Sequence, residues 1–237
     1  MRSGIHFIPI LTTIFSAWFA PQLLTRWRAH RPAPHLFWWG LGVALYGVGT
    51  FTESLTTIFG WHDPVFRAWY ISGALLGGAP LAQGTAYLLF SRRTADRLTL
   101  LLLAIITTAS VAVLLSPIDL AQVETYRLSG RVLGWQWVRA FTPFINIYAF
   151  LLLVGGAAVS AWRYARRSGM EQRTLANVYI AIGGLLPGIG GTFTRFGHVE
   201  VLYVTELVGL VLIYLGYRTA TSSTSASPSV WSTSPTV

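Results

Sequence analysis

Cysteine and lysine are both missing from this chain, and only 8 of its 237 residues are acidic. Without cysteine there can be no disulfide, thiolate metal site or cysteine nucleophile. Without lysine there is no amine for a Schiff base, which excludes covalently bound retinal, and no cofactor is expected. All 17 basic residues are therefore arginine. Charge as a whole is scarce at 11%, with 53% of residues hydrophobic and 14% aromatic. A soluble domain carries about 25% charged residues, so this balance places most of the chain in a bilayer. The net charge of +9 would point to nucleic acid in a soluble protein. Here the arginines sit in short loops beside apolar runs, where they orient membrane spans. No basic patch lies outside those loops to form a nucleic-acid surface.

What the chain does contain is a series of seven apolar segments, each near the roughly 20 residues needed to cross a bilayer. They run over 4–24, 36–59, 68–90, 98–118, 141–163, 174–193 and 201–218. The expectation is an all-α integral membrane protein with seven transmembrane helices in one domain, 1–218. The first segment could be a signal peptide, but Trp18 and Pro21 flank the candidate cleavage point after Ala20, which suits cleavage poorly. The Ser/Thr/Pro-rich stretch 219–237 reads as a disordered tail. Eleven arginines fall on the side of Arg26, Arg92, Arg163 and Arg218, and six on the side of Arg67, Arg127 and Arg139. By the positive-inside rule this predicts an outside N-terminus and a cytoplasmic C-terminus in a bacterial-type inner (plasma) membrane.

Ionisable groups at membrane depth are rare and mark functional sites. Two carboxylates qualify. Glu53 lies six residues before the end of the second segment at Phe59, and Glu206 lies six residues after Glu200 at the start of the seventh. At 1.5 Å per residue both sit roughly 9 Å below the outer boundary. Asn146 on the fifth segment falls at nearly the same depth. Arg67, Arg139 and Arg195 stand at the rim, where a guanidinium fork could pair with a carboxylate. The expectation is an outward-facing polar site between the second, fifth and seventh helices, built from Glu53, Asn146 and Glu206 with those arginines. Pro187, Gly188, Gly190 and Gly191 would loosen the sixth helix beside it. No HxxxH or HExxH spacing occurs, so no metal site is expected from His62 and His198. No catalytic nucleophile–base pair stands out either. Paired carboxylates and arginines are also ordinary interhelical contacts, so a structural role for this layer stays open. Gln83, Asn177 and the paired glycines at 73–78, 155–156 and 183–184 read as helix packing. Trp38, Trp39, Trp61, Trp69, Trp135, Trp137 and Trp162 read as an interfacial belt.

GVGTFTE at 47–53 and GIGGTFTR at 188–195 resemble one another and end outward-running helices, and Trp-Arg ends the first and fifth. A 3+1+3 parallel repeat follows, with the fourth helix as linker, an architecture that puts a transport site between the halves. FAPQLLTRWRAH, residues 19–30, resembles the Pro-Gln turn of the PQ-loop family of small-solute carriers, which is similarly built as three plus one plus three. Gly155-Gly156 or Ala157-Ala158 stands where that family would place its second Pro-Gln, so the pattern stops in the first half. Beyond the lipid bilayer itself, the partners to consider are a small polar or anionic solute and another membrane protein. The function expected first is solute handling or transport. An assembly subunit, an intramembrane enzyme and a small-ligand sensor remain alternatives.

Overall fold

A computed structural model of the chain describes residues 4–194 and 196–225, with side chains for all but 223–225. Among these residues the chain is helical and no strand forms, the isolated bridges Ile118–Leu133 and Glu124–Arg127 aside. Five helices are long and apolar enough to cross a membrane: Gly4–Ala29, Arg92–Leu115, Gln136–Ala165, Glu171–Thr194 and Val199–Ser222. Leu100, Leu101, Leu115, Phe144 and Leu151 point outward from them, as a lipid-facing surface requires.

The α-helices are α1 (Ile8–Ala29), α2 (Pro34–Phe59), α3 (Asp63–Trp69), α4 (Ala79–Leu89), α5 (Arg92–Leu115), α6 (Phe141–Ala149), α7 (Gly156–Ala165), α8 (Glu171–Thr194) and α9 (Val199–Ser225). Two expected boundaries change. The third apolar segment is not one helix. A wide π-turn, Tyr70–Leu75, follows α3, and the chain breaks before α4 restarts at Ala79 with Pro80 in its first turn. The cause is GALLGGAP: a Cβ on Gly77 would lie 2.5 Å from the Gly73 carbonyl oxygen, and proline suits a helix start. The last helix also continues past residue 218 to Ser225. There Thr221 and Ser222 bond back to the carbonyls of Arg218 and Thr219 at 2.9 and 3.1 Å. Serine and threonine can thus stay helical by satisfying their hydroxyls locally. The remainder of the expected tail, 226–237, lies outside the described residues.

The helices pack as a ring. α1 lies on α2, α2 on α3 and α4, α4 on α6, α7 on α8, α8 on α9, and α9 returns to α1. α5 stands outside the ring against α4 and α6. The α8–α9 contact is the most extensive. A Cβ on Gly183 would meet the Gly209 carbonyl at 2.6 Å, and one on Gly216 the Ala176 carbonyl at 2.7 Å. Gly190 faces Leu202 and Thr205 in the same way. Glycines seven residues apart on both helices let the two backbones touch.

The 116–140 connection is ordered. Val132, Leu133 and Val138 are fully buried and join Phe66, Tyr70 and Leu102 in one core cluster. Its tip reaches across the end of the ring, where Arg127 donates to the carbonyl of Thr194 at 2.6 Å and Thr125 approaches Gly60. Gly60 has φ of +87°, and this left-handed turn ends α2 and admits the loop.

Candidate functional site

The second half of α2 reads TFTESLTTIF, and every hydroxyl in it is buried: Thr50, Thr52, Ser54, Thr56 and Thr57. Most of these bond back along the helix. Thr52 donates to the Gly49 carbonyl at 2.6 Å, Ser54 to that of Thr50 at 2.8 Å, and Thr56 to that of Thr52 at 3.0 Å. That leaves the hydroxyls with little capacity to solvate a neighbour. Glu53 sits among them at 5% exposure.

Two groups reach Glu53. The indole N–H of Trp69, the last residue of α3 before the π-turn, donates to Oε1 at 3.0 Å. Across the ring, the carboxyl of Glu206 on α9 comes within hydrogen-bonding reach of the Glu53 carboxyl. Oε2 of Glu53 and Oε2 of Glu206 are both inaccessible, and neither accepts a hydrogen bond from a donor among the described residues. Glu206 as a residue is only half-buried, while its Oε2 is inaccessible. Ionised carboxylates only accept hydrogen bonds, so a bond between these two requires one proton shared between them.

Two tyrosines frame the pair. Tyr203, one turn before Glu206 on α9, is 4% exposed, lies among Glu53, Glu206 and Glu200, and shares a hydrogen bond with Thr57. Tyr46 on α2 donates to the backbone carbonyl of Glu206 at 3.2 Å. Below this layer the ring is apolar, with Phe19, Leu23, Val43, Leu81, Leu153 and Ile213 lining a small pocket.

Glu53 and Glu206 therefore meet, but the other expected members do not join them. Asn146 is exposed. α6 buries Ile145 and Ala149, and one residue along a helix turns the side chain by about 100°, so Asn146 faces away from the ring. Arg139 is exposed and bonds Gln136 at 2.7 Å. Arg67 is held elsewhere: it pairs with Asp63 at 2.6 Å and donates to the carbonyls of Val113, Leu114 and Ser116 at the end of α5. Arg195 lies outside the described residues. Among the described residues no arginine bonds either carboxyl of the pair, and no trio of metal-ligating side chains converges.

The expectation of a loosened sixth helix is also corrected. α8 is continuous through Pro187 to Thr194. Gly188 and Gly191 have nothing within 4 Å of a built Cβ, while Gly190 packs against α9. Gln83 behaves as expected of a packing residue. It is fully buried, donates to the Ala95 carbonyl at 3.0 Å and Thr99 at 2.7 Å, and accepts from Tyr148. It thereby ties α4 to α5 and α6. Pro21 and Gln22 lie inside an unbroken α1.

Trp69, Tyr203 and Tyr46 were not read as site residues from the sequence. Trp69 was counted in the interfacial belt because it begins a segment. The signals for the tyrosines were spacing: Tyr203 precedes Glu206 by three and Tyr46 precedes Glu53 by seven, so each shares its carboxyl's helix face.

The arginine at the rim gives a direct check. Arg67→Gln should remove several charge-assisted bonds between α3 and α5, costing about 2 to 3 kcal/mol in equilibrium unfolding. It should leave the chemistry of the carboxyl pair unchanged. A variant that keeps its stability but alters the pair's reactivity would return Arg67 to the site. No protein-family model and no curated protein matches this chain, so the chemistry of this layer rests on its geometry alone.

Proposed function

We propose that this is a seven-span membrane protein whose Glu53–Glu206 pair binds and releases a proton, coupled to the handling or transport of a small solute. One observation carries the reading: two carboxyls from distant parts of the chain adjoin at membrane depth, with no arginine among the described residues paired to them and one orphaned oxygen on each. Intramembrane carboxyls of this kind serve as proton relays and ion sites. The broken third segment supports the same reading, since Trp69 is held at the lip of its π-turn. Such turns accompany functional sites, and interrupted helices line binding cavities in carriers. The surroundings suit a proton or a small cation. Of the described rim arginines, Arg67 is engaged by Asp63 and three carbonyls and Arg139 bonds Gln136, so neither is turned to an anionic solute at the pair. The arginine distribution supports an outside N-terminus by the positive-inside rule, and on that reading the pair lies nearer the outer face.

A hydrophobic carbodiimide tests this, because it modifies protonated carboxyls in apolar surroundings. Treatment of the reconstituted protein should label Glu53 or Glu206, located by peptide mass, and leave the half-buried Asp96 and the exposed Glu124 largely unmodified. Glu53→Gln and Glu206→Gln should each suppress the labelling. Labelling spread evenly over surface carboxyls, with the pair untouched, would refute the proposal.

A further inference from the structure

We propose that Tyr203 carries protons to the Glu53–Glu206 pair from the His6–Glu200 contact at the end of the bundle where α9 begins. This rests on the proton-binding reading of the pair and adds its route of access.

Three-residue spacing on α9 makes Glu200 a neighbour of Tyr203 and Tyr203 a neighbour of Glu206, each step turning about 60° around the helix. Successive members are about 4.5 Å apart along the axis. The outer member is engaged from another element: His6 Nε2 lies 3.5 Å from Glu200 Oε1. The His6 ring also stands edge-on to Tyr203, with centroids 6.3 Å apart. Tyr203 is the middle group, buried among Glu200, Glu53 and Glu206. A phenol both donates and accepts, so it can pass a proton without holding a charge. Its oxygen takes a proton on a lone pair as its own O–H proton moves to a carboxylate oxygen of the pair, and rotation about the C–O bond restores the starting hydroxyl. Nothing is oxidised or reduced, and the proton gained by the pair is the proton lost at the rim.

The other neighbours of the pair do not offer a way out. The Trp69 indole is a donor only and is spent on Glu53. The Tyr46 hydroxyl is committed to the Glu206 carbonyl. On α3, Arg67 turns to Asp63 and the end of α5. On α8 the described titratable groups, Glu171, Arg173 and Tyr179, all lie near its start, at the opposite end. Toward that end the ring is closed by Phe19 and Leu210, each 1% exposed. Among the described groups this leaves Tyr203, whose hydroxyl also shares a hydrogen bond with Thr57, as the way from the pair to the rim.

Infrared hydrogen–deuterium exchange on the full chain reconstituted in lipid reads this route. A protonated carboxyl gives a C=O band that shifts when its proton becomes deuterium, and Glu53→Gln and Glu206→Gln assign the band. Tyr203→Phe keeps the ring and removes the hydroxyl. It should leave the band in place and slow its shift in D2O about tenfold or more, the scale of a lost proton-transfer group. His6→Gln with Glu200→Gln should slow it less, because water can replace groups at the rim. Exchange at the wild-type rate in Tyr203→Phe would overturn the route while leaving the pair's band intact. Absence of any band that the two Glu→Gln variants remove would overturn the reading of the pair itself. Should Tyr203→Phe fail to fold, the His6/Glu200 double variant decides: slowed exchange supports the route and unchanged exchange refutes it.

Discussion

Replacing Glu53 with leucine is expected to cost the protein about 2 to 5 kcal/mol of stability, because it orphans two buried groups at about 1 to 3 kcal/mol each. The Trp69 indole N–H loses its acceptor, and the Glu206 carboxyl loses the group it faces. Apolar burial of the new side chain offsets only part of this. The informative comparison is the double variant Glu53→Gln with Glu206→Gln. An amide can donate to a neighbouring amide oxygen without any added proton, and its oxygen can still accept from Trp69. The double variant should therefore recover most of the lost stability while losing carbodiimide labelling and proton uptake. Equilibrium unfolding of the two variants in mixed micelles gives the energies. A leucine variant within about 0.5 kcal/mol of wild type, the range of ordinary surface substitutions, would show that the pair contributes nothing to the fold. A glutamine double variant that still takes up protons would move the site elsewhere.

The second large effect lies on the glycine seam of α8 and α9. Gly209→Ala places a methyl 2.6 Å from the Gly183 carbonyl oxygen and 3.1 Å from Pro187 Cδ. Neither obstacle is a flexible side chain, so the two helices must separate. Overpacking of this kind costs about 1 to 3 kcal/mol, and Gly209→Leu should prevent the helices from docking at all. Glu206 lies one turn away on the same helix, so separation should also pull the carboxyl pair apart and change its labelling. Gly188→Ala is the control. A Cβ there meets nothing within 4 Å, and the substitution should be neutral or stabilising by up to about 1 kcal/mol, the helical cost of glycine. Thermal melts of the three variants test the contrast. Equal losses for Gly188→Ala and Gly209→Ala would mean that helix propensity, and not backbone contact, sets the cost.

The two TFT motifs show where local reading stops. Thr52 and Thr194 both bond back to a glycine carbonyl three residues earlier, at 2.6 and 2.7 Å. The matching sequences thus produce matching local bonds. Their surroundings nonetheless differ, since Thr52 is buried against the ring and the Thr192–Phe193 stretch faces outward. Asn146 makes the same point. Depth along a helix follows from counting residues, but azimuth depends on which face the neighbours cover. Counting put Glu53, Glu206 and Asn146 in one layer; the ring turned two of them inward and one out.

Composition and hydropathy alone determined that this chain is a helical membrane protein, and placed its two membrane-depth carboxyls at the same level. Both are one-dimensional properties: transfer of apolar segments into lipid depends on their summed side chains, and helical rise converts sequence position into depth. Tertiary structure decided which groups at that level meet. It brought Glu53 to Glu206, spent Arg67 on the end of α5, broke the third apolar segment beside Trp69 and folded the 116–140 loop across the end of the ring. These choices depend on helix rotation and backbone approach, set by contacts such as Gly183 on Gly209 between residues far apart in the chain.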